Sequence, residues 1–230
     1  MSPLLNNRSA PILCYVTDRG NLSTSAPAFE SLLAKIDSAI AAGIDWIQLR
    51  EKDLSAQDCA AVTRHALACA AKSAPNRSPA RILVNDRLDV ALTESAHGVH
   101  LGERSVPVQQ ARDLAGKLRS LNNPPFLIGA SCHSQVEAQA AAASGADYLI
   151  FGPIFATPSK APFGPPQGLH HLAQVCQSVS LPVLAIGGIT LQNAPSCLAA
   201  GAAGLAAIRL FQDSSDLPRL IQALHALPLR

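Results

Sequence analysis

The sequence predicts a single (β/α)8 TIM barrel, and three observations predict it. Short β-branched or leucine-rich runs alternate with alanine-rich helical stretches along the whole chain, which is how a parallel sheet with crossover helices reads. The count closes at eight βα units in about 220 residues, the compact end of the size range for this fold. Polar residues gather at the C-terminal ends of the predicted strands: Thr17-Asp18, residues 48–52, Asn85-Asp86, Ser131-Cys132-His133, Gly187-Gly188 and Arg209. Barrel active sites are built at that face. A doubly wound open sheet is the competing arrangement, and the closing count and the placement of the polar residues favour the barrel.

The elements follow in order. Residues 1–11 carry no apolar h-region, so they are expected to be a disordered leader and not a signal peptide, with the barrel spanning 12–230. Strands are expected at 12–17, 44–49, 82–85, 98–101, 126–130, 148–151, 182–186 and 204–208. Helices are expected at 29–42, 56–72, 86–95, 108–121, 135–144, 169–178, 191–200 and 217–227. Ser55 and Thr190 stand where helices need N-caps, and Gly43, Gly145 and Gly201 stand where helices stop. The stretch 152–168, with five prolines, is long for a connection and is expected to be a lid or binding loop.

Composition narrows the class of function. Hydrophobic residues make up 48% and charged ones 15%, enough for a large core, and with 4% aromatics that core must be aliphatic. A net charge of +2 without a Lys/Arg run argues against nucleic acid, so any attraction for anions is local. No apolar run approaches the ~20 residues of a membrane helix. Six scattered cysteines show neither a zinc pattern nor a disulfide framework, which suits a reducing cytoplasm. Oligomeric state is not legible.

Several groups can do chemistry. If the second strand holds through residue 52, Gln48, Arg50 and Lys52 share one face and form a grip for an anion. Gly187-Gly188 and Arg209, after strands seven and eight, stand where barrels commonly bind phosphate. Thr157, Ser159 and Lys160 in the long loop are further phosphate binders. Asp86 is either a Mg²⁺ ligand or a cap for the following helix. His100 is expected to pack, and His170-His171 to begin the sixth helix on its exposed side. Cys132 and His133 point apart in an extended segment, which excludes a thiol–imidazole pair and leaves Ser131 and His133 as substrate contacts.

Taken together, Tyr15-Val16-Thr17-Asp18, residues 48–52, Val84-Asn85-Asp86, Gly98-Val99-His100-Leu101-Gly102, Gly129-Ala130-Ser131, residues 152–160 and Ile186-Gly187-Gly188-Ile189-Thr190 resemble the thiamine phosphate synthase family, which includes the thiazole tautomerases. The resemblance implies a barrel that joins hydroxymethylpyrimidine diphosphate to hydroxyethylthiazole phosphate and releases pyrophosphate. It implies that Gln48, Arg50, Lys52, Asn85, Ser131 and Lys160 hold the pyrimidine diphosphate, with Arg50, Lys52 and Lys160 assisting its departure. It implies that Thr157, Ser159, Gly188 and Ile208 frame the thiazole phosphate, and that Asp86 binds Mg²⁺.

Two positions depart from the family pattern. Ser105 stands where a second magnesium aspartate is usual, with Glu103 the nearby carboxylate, and Arg209 stands where serine is usual. Two other readings follow. In a tautomerase, His133 is the acid–base group and no metal is required. In a non-catalytic phosphate sensor, Gly188 and Arg209 are kept without need of Asp86. Retention of Gln48, Arg50, Lys52, Asn85, Asp86 and Lys160 favours the synthase.

Overall fold

The computed structural model describes residues 9–22, 27–72, 78–119, 125–157 and 165–229. Within them, eight parallel strands close into a barrel in chain order: β1 (Ile12–Val16), β2 (Trp46–Leu49), β3 (Arg81–Asn85), β4 (Gly98–Leu101), β5 (Leu127–Cys132), β6 (Tyr148–Phe151), β7 (Val183–Ile186) and β8 (Gly204–Ala207). Closure is the pairing of β1 with β8, Ile12 opposite Gly204 and Tyr15 opposite Ala207. The open-sheet alternative is thereby excluded. The helices are α1 (Ala28–Ala42), α2 (Ala56–Lys72), α3 (Leu88–Thr93), α4 (Val108–Leu118), α5 (Gln135–Ala143), α6 (Gly168–Ser178), α7 (Ala194–Ala199), α8 (Arg209–Gln212) and α9 (Leu217–His225).

Strands buried on both faces explain the continuous hydrophobic runs. One set of side chains, including Ile12, Cys14, Trp46, Leu83, Tyr148 and Leu184, fills the barrel interior. The alternate set, including Leu13, Ile47, Ile82 and Leu149, packs beneath the helices. The interior accommodates Tyr148 only because β5 offers Gly129: a Cβ there would lie 2.0 Å from Tyr148 Cζ.

At the N-terminal end of the barrel, side chains satisfy strand N–H groups that have no ladder partner. Asp45 Oδ2 accepts from Leu13 N at 2.9 Å and meets His225 Nε2 at 2.8 Å. Asp147 Oδ2 accepts from Ile128 N at 2.7 Å and from Arg112 at 2.5 Å. His97 Nδ1 accepts from Ile82 N at 3.0 Å. These ties lie at the face that reads as stability, opposite the polar cluster.

Several boundaries move, each for a physical reason. β5 extends to Cys132 because Ser131 and Cys132 still pair with Ile150 and Phe151. β2 stops at Leu49, so Arg50 and Glu51 are irregular and Lys52 sits in a turn; the expected one-faced strand through residue 52 does not form. The helix expected at 86–95 shortens to Leu88–Thr93 because Asp86 adopts φ 62°, outside the right-handed helical region. The helix expected at 191–200 begins at Ala194, since Thr190 and Asn193 first exchange side chain to backbone hydrogen bonds that close a turn. Ser55 does cap α2, its Oγ accepting from Asp58 N at 3.1 Å. Gly43, Gly145 and Gly201 all take left-handed φ where helices end. The 3-10 turn Arg19–Asn21 and the four-residue α8 were not anticipated. Residues 1–8 of the expected leader lie outside the described residues, while Pro11 is already buried against the barrel. Among the described residues no helix is long and apolar enough to cross a membrane.

Candidate active site

At the C-terminal mouth, β2 to β5 turn four polar side chains toward the barrel axis: Gln48, Asn85, His100 and Ser131. Gln48, 3% exposed, donates from Nε2 to Asn85 Oδ1 at 2.7 Å. Its carbonyl oxygen Oε1 is buried with no hydrogen-bond partner among the described residues. A buried acceptor left unpaired costs about 1–3 kcal/mol, so this atom is free to accept from a ligand N–H or an ordered water. His100, 2% exposed, lies 2.9 Å from Ser131 Oγ through Nε2 and 3.1 Å from Tyr148 Oη through Nδ1. Burial pulls its pKa down to about 4, so the ring is neutral near neutral pH. The expectation that His100 simply packs is incomplete, because it holds two polar side chains.

From Asn85 the hydrogen bonding continues outward. Asn85 Nδ2 donates to Asp86 Oδ2 at 2.7 Å. Asp86 Oδ1 accepts from Gly102 N at 3.2 Å and from the Ser105 hydroxyl. Asp86 does not cap α3, which has no side-chain cap. Its strained φ instead aims the carboxylate at the mouth. Of the two residues considered for a second metal position, Ser105 is the one at the Asp86 carboxylate; Glu103 is not among its partners. Among the described residues no three His, Cys, Asp or Glu side chains converge. An oxygen pair of one carboxylate and one hydroxyl nevertheless fits Mg²⁺, which takes one or two carboxylates and completes its shell with phosphate oxygens and water.

The segment after β2 is pinned from beneath. Arg50 N donates to Thr17 Oγ1 at 3.0 Å. Arg19 donates from its backbone N to both Glu51 carboxylate oxygens, at 3.1 and 3.2 Å, and from its guanidinium to Glu51 at 3.0 Å. It also grips Asp53 with two bonds of 2.7 Å. That fork holds the Asp53 carboxyl below its ordinary range. Arg50 and Lys52 thus line one depression, together with Asp18, Arg19 and Gly20.

The other half of the mouth comes from β6, β7 and β8. Ile154 N and Phe155 N donate to Ile186 O at 2.8 Å and Gly187 O at 3.0 Å, laying the segment after β6 across the Gly187-Gly188 turn. Both glycines have positive φ, and a Cβ on Gly188 would lie 2.7 Å from Ala156 O. Arg209, exposed at the first position of α8, donates to Thr157 Oγ1 at 3.3 Å. Thr157, Gly188, Ile208 and Arg209 therefore gather at one side of the mouth. Ser159 and Lys160 lie outside the described residues.

His133 faces the root of this segment, its Nδ1 2.5 Å from Gly152 O, and its backbone N donates to Glu137 at 2.7 Å. A ring nitrogen bound to a carbonyl is a donor, so His133 ties β5 to the end of β6. Cys132 is buried and its thiol is pushed up to about 12, which removes it as a nucleophile. His170 and His171 are exposed on α6, as expected. Sequence reasoning missed Tyr148 and Arg19 and named Thr17 only as a polar strand end, because their partners lie more than 30 residues away in sequence.

A family model described as thiamine monophosphate synthase matches residues 13–211. A putative thiamine-phosphate synthase of Geobacter sulfurreducens is 45% identical over 196 residues, covering 85% of this chain and 86% of that protein. The thiamine-phosphate synthase of a Roseiflexus species is 37% identical over 215 residues, 94% of this chain and 84% of that one. Among solved structures, a thiamine phosphate pyrophosphorylase from Pyrococcus furiosus superposes with a TM-score of 0.77 at 30% identity, covering 94% of each chain. A 3-hexulose-6-phosphate synthase, at 16% identity and a TM-score of 0.65 over 95% of this chain and 99% of that one, shares the fold alone.

Proposed function

The chain belongs to the thiamine monophosphate synthase family, and from that premise we propose that it joins hydroxymethylpyrimidine diphosphate to hydroxyethylthiazole phosphate, giving thiamine phosphate and pyrophosphate. The observation that carries the reading is the buried Gln48 carbonyl, without a hydrogen-bond partner among the described residues, in a mouth shared with Asn85, His100 and Ser131. An aminopyrimidine offers an N–H donor to that acceptor, and its diphosphate is then held by the cations after β2.

In this reading Gln48, Asn85 and Ser131 hold the pyrimidine, and Arg50, Lys52 and Lys160 hold the diphosphate. Thr157, Ser159, Gly188, Ile208 and Arg209 hold the thiazole phosphate. The bond between the pyrimidine methylene and the diphosphate oxygen breaks, and its electron pair leaves on that oxygen. The thiazole nitrogen lone pair closes the new C–N bond. In this reading the charge growing on the leaving oxygens is met by the cations of Arg50 and Lys52 after β2, with Lys160 assigned the same role, donors that act where charge develops. A neutral, buried Cys132 contributes nothing covalent. Mg²⁺ would be held by Asp86 and Ser105, and when bound it neutralises charge on the departing pyrophosphate. The substrates are small phosphorylated molecules, the domain is a single barrel, and the cytoplasm is the proposed compartment.

The test is to supply the purified protein with both phosphorylated substrates and Mg²⁺. Thiamine phosphate and equimolar pyrophosphate are expected, and Gln48→Leu should raise KM for the pyrimidine diphosphate about tenfold or more. No product from the native chain would overturn the reading.

A further inference from the structure

Ser131 can meet a ligand either as a donor or as an acceptor, and the residues behind it decide which. Its hydroxyl is 2.9 Å from His100 Nε2, and the other ring nitrogen, Nδ1, is 3.1 Å from Tyr148 Oη. Tyr148 is fully buried, wedged over Gly129 and edge-on to Trp46 at 4.8 Å between ring centroids. Among the described residues His100 is the hydrogen-bond partner of the Tyr148 hydroxyl. A phenolic O–H is a donor whose proton, when buried, must reach an acceptor. The acceptor within reach is Nδ1, which must then carry no proton. A neutral imidazole holds its single proton on the remaining nitrogen, so Nε2–H donates to Ser131 Oγ. The serine's own O–H is left pointing away from the histidine, toward the mouth. The opposite tautomer, like a doubly protonated ring, would strand the tyrosine proton inside the barrel.

We propose that Tyr148 and His100 are positioning residues that hold the Ser131 hydroxyl as a hydrogen-bond donor, so that it selects a ring-nitrogen acceptor of the bound pyrimidine. The same mouth holds an acceptor on β2, the Gln48 carbonyl, which has no hydrogen-bond partner among the described residues. The mouth then presents one fixed donor and one fixed acceptor, a pattern that an aminopyrimidine matches in a limited set of orientations. This inference rests on the synthase reading for the identity of the ligand, while the direction of the Tyr148–His100–Ser131 chain stands on the geometry alone.

Two measurements test it, and the first needs no activity. ¹⁵N-histidine NMR on the full chain, with the His100 signals identified by their absence in His100→Gln, should show Nε2 protonated and Nδ1 bare. A proton on Nδ1 overturns the proposal even in a protein that makes thiamine phosphate. The second compares pyrimidine diphosphate with the two analogues in which one ring nitrogen is replaced by C–H. One analogue should lose about tenfold in kcat/KM with the native chain, the worth of one hydrogen bond. That discrimination should fall to about threefold or less in Tyr148→Phe and Ser131→Ala. It should persist in His100→Gln, whose amide N–H can replace Nε2–H. Tyr148→Phe keeps the ring packed over Gly129, so loss of discrimination there is not loss of fold. Undiminished discrimination in Tyr148→Phe overturns the proposal, whereas absence of product from the native chain overturns the synthase reading instead.

Discussion

At the scale of single residues, the mouth is governed by polar atoms whose partners are fixed or missing. Ser105 supplies a hydroxyl at the Asp86 carboxylate, leaving one formal negative charge where two carboxylates would supply two. Site charge tunes affinity for divalent cations, so Ser105→Asp should lower the Mg²⁺ concentration that half-saturates diphosphate binding by about tenfold, read by titration calorimetry. An unchanged midpoint would remove Ser105 from the metal position. His100 gives a second expectation, this one in pH. Its folded-state pKa of about 4 lies below the ordinary 6.5, so the unfolded chain binds the extra proton between those values. Stability is therefore full above pH 6.5 and declines toward pH 4, by about 3 kcal/mol from this ring. His97, lowered chiefly by burial, adds in the same direction. Chemical denaturation at pH 7 and pH 4.5 should show the loss, and His100→Gln should shrink it. These side chains were partly legible: residues 48–52 and Asn85-Asp86 announce themselves by breaking strand composition. The role of His100 does not, because its partners Ser131 and Tyr148 are 31 and 48 residues away and are brought to it only by barrel closure.

At the scale of elements, the functional groups are held by what lies beneath them. The irregular segment after β2 is anchored by Arg19, a residue of the unanticipated 3-10 turn, which grips Glu51 and Asp53. The Glu51 side chain is 4% exposed, so Arg19→Ala removes the guanidinium from a nearly buried carboxylate. A loss of about 2 kcal/mol is expected in thermal or urea unfolding, with KM for the pyrimidine diphosphate rising and kcat held. If both parameters stay native, the anchor does not position Arg50 and Lys52. α8 is a parallel case. Four residues carry no readable period, yet this short helix places Arg209 against Thr157 and sets the buried Gln212 between Tyr15 Oη, at 3.1 Å, and Asp18 O, at 3.0 Å. Arg209→Ser should therefore raise KM for the thiazole phosphate about fivefold and weaken its salt dependence.

At the scale of the whole molecule, the barrel divides its labour between its ends. Asp45, His97 and Asp147 complete the backbone hydrogen bonds at the N-terminal face, while at the C-terminal face Asp86 is left-handed and the buried Gln48 Oε1 has no hydrogen-bond partner among the described residues. The architecture was legible because parallel strands buried on both sides read as short apolar runs in regular alternation with helices. Details of closure were not, since the fit of Tyr148 over Gly129 joins neighbouring strands through one absent methyl group. Gly129→Ala forces a contact that cannot be met without moving the ring, so a loss of about 3 kcal/mol or more is expected in unfolding experiments. The two halves of the mouth, β2 to β5 for the pyrimidine and β6 to β8 for the thiazole, meet over one reacting carbon in the proposed chemistry. The most direct measurement is the initial rate of thiamine phosphate formation from both substrates, with and without Mg²⁺, in the native chain and in Asp86→Ala. Mg²⁺-dependent product that falls roughly 100-fold or more in the variant is expected; product formed equally well by both chains, or by neither, would contradict it.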